Sequence, residues 1–146
     1  EALQAPPVAA RRRVCCPIWR DPLMTLNADT FGSDVLALAG ADNVFSERLR
    51  LYPLAADLGK MIAADAAGRD VRYPRIAADE LRTRDPDLVL LPDEPCEFTA
   101  ADEVMFRELC PRAVVGRISG KDLFWYGAWT IEALARVRAA LAAPPR

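Results

Sequence analysis

Leu88-Val89-Leu90-Leu91 runs straight into Pro92-Asp93-Glu94-Pro95-Cys96-Glu97-Phe98 and marks the centre of the fold. The run is apolar at every position, with no polar residue alternating. A strand reads this way when its sheet is covered on both faces, as in parallel sheets. The expected strand spans 87–91, after a turn at Asp85-Pro86. Two other runs repeat the pattern. Val14-Cys15-Cys16-Pro17-Ile18 breaks into Trp19-Arg20-Asp21-Pro22, and Ala113-Val114-Val115 leads through Gly116 and Arg117 to Lys121-Asp122-Leu123-Phe124-Trp125-Tyr126. As parallel strands (13–18, 87–91 and 113–115), their carboxyl ends share one sheet edge. Open α/β sheets bind ligands along that edge. Three loops rich in aromatic and charged residues converging there suit a sizeable, partly flat ligand.

Helical signals separate these strands. Asp29 or Thr30 can cap a helix carrying Phe31, Val35, Leu36 and Leu38 on one side, with Gly40 as its stop. Asn43-Val44-Phe45 reads as a short extended piece. Leu54 to Ala67 has helical character interrupted by Gly59, and 46–72 is expected to be a surface insertion before Tyr73-Pro74 re-enters the core. Asp79–Arg84 is a short helix ended by Asp85-Pro86. Thr99 and Asp102 have capping-box spacing, with Asp in place of the usual Glu or Gln. The helix they start should turn Val104, Met105 and Leu109 inward. Ile131, Leu134, Arg138 and Leu141 recur at helical spacing in a last helix over about 127–142, stopped by Pro144-Pro145. Alternation of strands and helices predicts an α/β, three-layer, Rossmann-like lobe: a mostly parallel sheet with helices on both faces.

The 146 residues suffice for one domain core, and 52% apolar with 27% charged residues is a globular composition. A net charge of −2 with no basic, aromatic-interleaved run gives no nucleic-acid surface. Arg11-Arg12-Arg13 marks a solvated entry to the first strand. No run approaches the roughly 20 apolar residues of a membrane span, and residues 1–10 lack the apolar core of a signal peptide.

Histidine is absent, which argues against most catalytic triads and the commonest zinc sites. Cys15 and Cys16 must face opposite sides of their strand. With Cys96 and Cys110 they read as small buried hydrophobes, although a Cys96–Cys110 bridge remains open. The glycines form neither a dinucleotide fingerprint nor a phosphate loop. Ser33, Ser46 and Ser119 lack a nucleophile-elbow context. Asp93, Glu94 and Glu97 read as loop structure, ligand contact, or an acid–base or metal cluster. Trp19, Phe98, Trp125 and Tyr126 either seal the sheet edge or form a flat recognition surface; Trp129, one turn beyond Trp125, reads as core or as part of that surface. Asp79-Glu80 either complement a helix dipole or offer a protein-docking acid.

Several of these stretches together resemble a known family. They are Arg13-Val14 through Pro17-Ile18-Trp19-Arg20-Asp21-Pro22-Leu23-Met24-Thr25, Asp34-Val35-Leu36 with Gly40, and Asn43-Val44-Phe45. Tyr73-Pro74, Pro86-Asp87-Leu88-Val89, Pro92-Asp93-Glu94-Pro95 and Lys121-Asp122-Leu123-Phe124-Trp125-Tyr126-Gly127 follow in order. The chain over about 13–141 resembles the C-terminal lobe of class III, helical-backbone periplasmic substrate-binding proteins of vitamin B12 and ferric siderophore ABC importers.

The resemblance implies a non-enzymatic, periplasmic or extracytoplasmic protein that carries a corrinoid, haem or ferric siderophore to a membrane permease. The metal chelate is then the cargo, and no separate cofactor is expected. Residues 1–12 would be the end of the inter-lobe helix or a flexible tail, and 13–146 the binding lobe. The N-terminal lobe lies outside this sequence, or a homodimer partner takes its place. By position in the family, Ile18, Met24, Tyr73, Asp122 and Tyr126 contact ligand. The loop argument adds Trp19, Arg20, Phe98 and Trp125, while Asp79, with Glu80 beside it, meets permease arginines. Two other readings stand beside this one: a flavodoxin-like enzyme domain using the Asp93–Glu97 loop, and a lone lobe serving protein interaction or dimerisation.

Overall fold

Strand β5 (Leu88–Pro92) is buried along its whole length at the centre of the molecule. Leu88 and Leu90 point into one core and Val89 and Leu91 into the other, so the period of two feeds two apolar layers. The computed structural model describes residues 10–142; the expectations for residues 1–9 and for Pro144-Pro145 lie outside them.

Four parallel strands form the sheet in the order β4 (Ala41–Asn43), β1 (Arg12–Cys15), β5 and β6 (Val114–Ile118). Val14 pairs with Leu88 and Cys15 with Val89; on the other side of β5, Leu88 through Pro92 pair with Val114 through Ile118. Helices α1 (Phe31–Ala39), α5 (Gly120–Phe124) and α6 (Trp129–Leu141) supply Val35, Leu36, Leu123, Val137 and Leu141 to the core on one face. On the other face, α3 (Ala78–Arg84) and α4 (Ala100–Leu109) supply Leu81 and Phe106. The architecture is the Rossmann-like α/β lobe predicted from the strand runs. Cys16 lies in the first core and Cys15 in the second; all four cysteines are buried and free.

Local signals placed both ends of α1 and the start of α4. Thr30 caps α1 by accepting from Ser33 N, and Gly40 ends it at φ 101°, a conformation glycine adopts without steric cost. The box on α4 is complete, since Thr99 accepts from Asp102 N while the Asp102 carboxylate accepts from Thr99 N at 2.7 Å.

The structure corrects several orientations. Phe31 and Leu38 are exposed on α1, where only Val35 and Leu36 of the expected set are buried. On α4, Val104 is exposed and Phe106 takes the inward position, fixed by an edge-to-face contact with Phe98 at 5.8 Å. On α6, Ile131 is 78% exposed, whereas Ala133, Val137 and Leu141 are buried. This helix presents a seam containing a small residue to α1 and α5, so a large apolar residue is left outside. The expected first strand is shorter, and the chain then folds back as an antiparallel hairpin of β2 (Trp19–Arg20) and β3 (Leu23–Met24). Only one helical turn, α2 (Leu54–Asp57), forms in the stretch read as a helix over 54–67.

Segment 46–72 is held by a buried carboxylate. Asp57 accepts from Arg48 Nη1 at 2.8 Å, Leu51 N at 2.8 Å, Arg75 N at 2.7 Å and Arg75 Nε at 2.8 Å. Burial alone raises the Asp57 carboxyl. Hydrogen bonds from Leu51, Arg75 and Arg48 outweigh it and hold the group below the ordinary carboxylate range.

Candidate functional site

The chain leaves β1 for β4 on one side and returns to β5 on the other, so the strand order reverses between β1 and β5. A crevice opens beyond the carboxyl ends of strands at such a point. A cavity of about 600 Å³ lies there, lined by Ile18, Trp19, Met24, Arg50, Tyr73, Glu94, Pro95 and Phe124. Its volume is that of a small-molecule site, and its walls are mainly aromatic and aliphatic with a few charged groups.

Each wall has a local cause. The β2–β3 hairpin carries Trp19 and Met24, and Ile18 N donates to Met24 O at 2.8 Å to close it. Thr25 N donates to Pro74 O and a bridge joins Met24 to Arg75, which brings Tyr73 alongside the hairpin. The loop after β5 is tied to the start of α5 by Gly120 N donating to Asp93 Oδ1 at 2.7 Å. Trp125 Nε1 also donates to Glu94 Oε1 at 3.0 Å. Phe124 reaches the cavity over Gly32, where a Cβ would lie 2.9 Å from its ring. The three strand-end loops do converge on one edge.

Of the residues singled out in the sequence, Ile18, Trp19, Met24 and Tyr73 line this cavity together. Arg20 lies next to it, in a depression of about 520 Å³ shared with Trp19, Asp21 and the 95–99 loop. Its guanidinium is engaged by Asp102 at 2.8 Å and Glu97 O at 3.0 Å. Trp125 and Tyr126 are not among its lining residues: Trp125 is bonded to the wall residue Glu94, and Tyr126 is 80% exposed and edge-on to Phe31 at 5.7 Å. Trp129 is also partly exposed, tilted against Trp125 with ring centroids 6.1 Å apart.

Two placements are corrected. Phe98 borders the depression beside Arg20, but it is 2% exposed and its ring packs into the core against Phe106. Asp122 is 3% exposed and accepts from Arg136 Nη2 at 2.7 Å and Trp129 Nε1 at 3.1 Å, so it anchors α6 rather than facing the cavity. The Arg136 bonds hold its carboxyl below the ordinary range.

The docking pair also divides. Asp79 is exposed and bonded to Arg82. Glu80 is turned to Arg48 at 2.9 Å and Arg84 at 3.6 Å. Arg50, Glu94, Pro95 and Phe124 are wall residues absent from the sequence-derived site. Glu94 and Phe124 sat in the strand-end loops and were legible there; Arg50 came from a segment read as insertion. Among the described residues, no cluster of three or more Cys, Asp or Glu could hold a metal. No helix among them is long and apolar enough to cross a membrane.

Solved structures share this fold. The periplasmic vitamin B12 binding protein of Vibrio cholerae superposes with a TM-score of 0.62 at 16% identity, over 91% of this chain and 45% of its own. A possible iron-binding, periplasmic solute-binding protein of Staphylococcus epidermidis gives 0.65 at 14% identity, over 94% and 48%. A periplasmic heme-binding protein of Pseudomonas aeruginosa gives 0.58 at 21% identity, over 94% and 46%. No family model matches the sequence, and neither does any curated protein. The chain spans about half the length of the solved structures it matches. Its fold is therefore that of one Rossmann-like lobe of periplasmic binding proteins, in agreement with the resemblance read from the sequence.

Proposed function

We propose that this chain is the C-terminal ligand-binding lobe of a periplasmic substrate-binding protein, capturing a corrinoid, haem or ferric siderophore for an ABC permease. One observation carries the reading: an apolar, aromatic cavity at the strand-order reversal, in a fold shared with binding proteins for B12, iron and haem. Trp19, Met24, Tyr73 and Phe124 give dispersion contacts to a large flat face. Arg20 at the side and the exposed Trp125 and Tyr126 extend that surface toward an opposing lobe. The role is binding, without covalent chemistry. The Asp93 and Glu94 carboxylates already serve as acceptors that fix the loops, which disfavours the enzyme reading.

Asp79 is the residue offered to permease arginines, being the exposed member of its pair. The exposed Trp125, Tyr126 and Trp129 favour one further element of the reading: this edge is covered by a second lobe, either the N-terminal one or a second copy.

Tryptophan fluorescence titration with cyanocobalamin, hemin and a ferric siderophore tests the proposal, on this chain and with a cognate N-terminal lobe added. Saturable quenching by one of these classes is expected. Absence of binding by all of them in both settings would falsify it.

A further inference from the structure

Arg50 is the cavity residue whose guanidinium makes neither a hydrogen bond nor an ion pair among the described residues. Among the described residues every other arginine side chain donates a hydrogen bond or forms an ion pair. The Arg50 guanidinium makes no hydrogen bond, and its Nε is buried without an acceptor. Its neighbours are the Tyr52 ring, 5.2 Å from the guanidinium carbon, and the charge of Asp70, which feels Arg50 only weakly beside its own bonds to Arg72. Glu94 lines the same cavity but forms no ion pair with it.

A buried guanidinium N–H without an acceptor is costly, more so than a neutral donor. The backbone that carries this side chain is held in place. Arg50 N donates to Val71 O at 2.8 Å, and the residues on either side, Arg48 and Leu51, are both bonded to buried Asp57. The same clasp takes Arg75, whose Nη2 donates to Leu51 O at 2.8 Å. Segment 46–72 thus carries, on an anchored backbone, an unsatisfied guanidinium at a cavity walled by Trp19, Tyr73 and Phe124. Guanidinium forks bind carboxylates bidentately, and such charge-assisted bonds are strong where water is excluded.

We infer that Arg50 receives an acidic group at the edge of the ligand, so that the cargo is a planar, largely apolar molecule carrying a carboxylate. This rests on the capture reading above and narrows its ligand class. The aromatic walls hold the flat face, and Arg50 fixes its orientation in the cavity.

Protoporphyrin IX and its dimethyl ester are the probes, because they share one ring and differ only in the acids; neither carries a metal. Binding to the unaltered chain, Arg50→Gln and Arg50→Lys is followed by tryptophan quenching, with cyanocobalamin as a third probe and circular dichroism to verify folding. The unaltered chain should bind the diacid about tenfold or more tightly than the diester. Arg50→Gln should remove that preference by weakening the diacid alone, and Arg50→Lys should keep part of it. Equal loss for both porphyrins in Arg50→Gln, or an unchanged preference for the diacid, overturns the role of Arg50. Binding of cyanocobalamin but of neither porphyrin overturns the acidic-ligand inference while leaving capture intact. Failure of all three probes, with and without an added N-terminal lobe, overturns the acidic-ligand inference, and failure of a ferric siderophore as well removes both.

Discussion

A Cβ on Gly120 would lie 2.9 Å from the carbonyl oxygen of Glu94 and closer still to its Cγ. The first turn of α5 therefore rests directly on the loop that follows β5, and the cavity wall at Glu94 is set by a backbone contact. Gly120→Ala must push the two apart in a buried position. We expect a loss of about 1–3 kcal/mol, the usual cost of overpacking, with weaker ligand binding as Glu94 shifts. Urea denaturation checks it; an unchanged midpoint and unchanged affinity would show that the loop yields freely.

Trp19 and Phe98 are both aromatic residues at strand ends, yet they should behave oppositely. Trp19 is 44% exposed in the cavity wall, and Phe98 is buried against Phe106. Trp19→Ala should weaken ligand binding about tenfold or more with little change in stability. Phe98→Ala should cost about 3–5 kcal/mol by opening a core cavity. Paired thermal melts and ligand titrations separate the two, and equal melting points would contradict the assignment.

Asp57 is bonded to Arg48 and Arg75 with its side chain fully buried. Asp57→Asn leaves Arg75 without its counter-charge and Arg48 with Glu80 alone, and should cost about 3–5 kcal/mol. Because the folded-state carboxyl is lowered, its contribution is complete above the ordinary carboxylate value of about 3.9 and disappears as pH falls through the folded value beneath it. Stability of the unaltered chain should then fall on acidification below about pH 4 more steeply than that of Asp57→Asn. Parallel curves would remove Asp57 from the acid response.

Asp79 and Glu80 are neighbours with different work to do. Asp79→Ala should leave stability within about 0.5 kcal/mol, as for exposed residues away from special contacts, while impairing uptake with the cognate permease. Glu80→Ala removes a partner of Arg48 and Arg84 and should loosen segment 46–72. Hydrogen exchange across 46–72 reads this: faster exchange in Asp79→Ala, or none in Glu80→Ala, reverses the assignment.

Burial pushes the Cys16 thiol up to about 12, and burial, with Cys16 beside it, raises Cys15 well above its ordinary value. The reactive thiolate is thus scarce in the folded chain. An aromatic disulfide reagent at pH 8 should label these residues only after unfolding. Prompt labelling of native protein would mean that the strand end opens readily.

Much of the frame was legible because its signals are local. Thr30, Gly40, Thr99 and Asp102 mark helix ends through bonds made within a turn, and Leu88 to Leu91 needed only their apolarity to be read as a central strand. Helix rotation was less legible. Ile131 and Val104 fit a helical apolar series, but their orientation depends on which seam meets the neighbouring helix. The site followed the same division. Ile18, Trp19, Met24 and Tyr73 came from loop composition and family resemblance, whereas Arg50 carries no mark distinguishing it from the arginines around it.

The α/β order, the parallel sheet and the edge on which three loops meet are all written locally in the chain. Those follow from apolarity, caps and turns, which act over a few residues. Tertiary structure decided that Phe98 and Asp122 turn inward, that Glu80 is consumed by Arg48, and that Arg50 stands unpaired in an aromatic cavity. The physical reason is that a charge or ring is committed by its partners. Here those partners lie far along the chain, as Asp57 does from Arg75 and Asp122 from Arg136, and only packing brings them together.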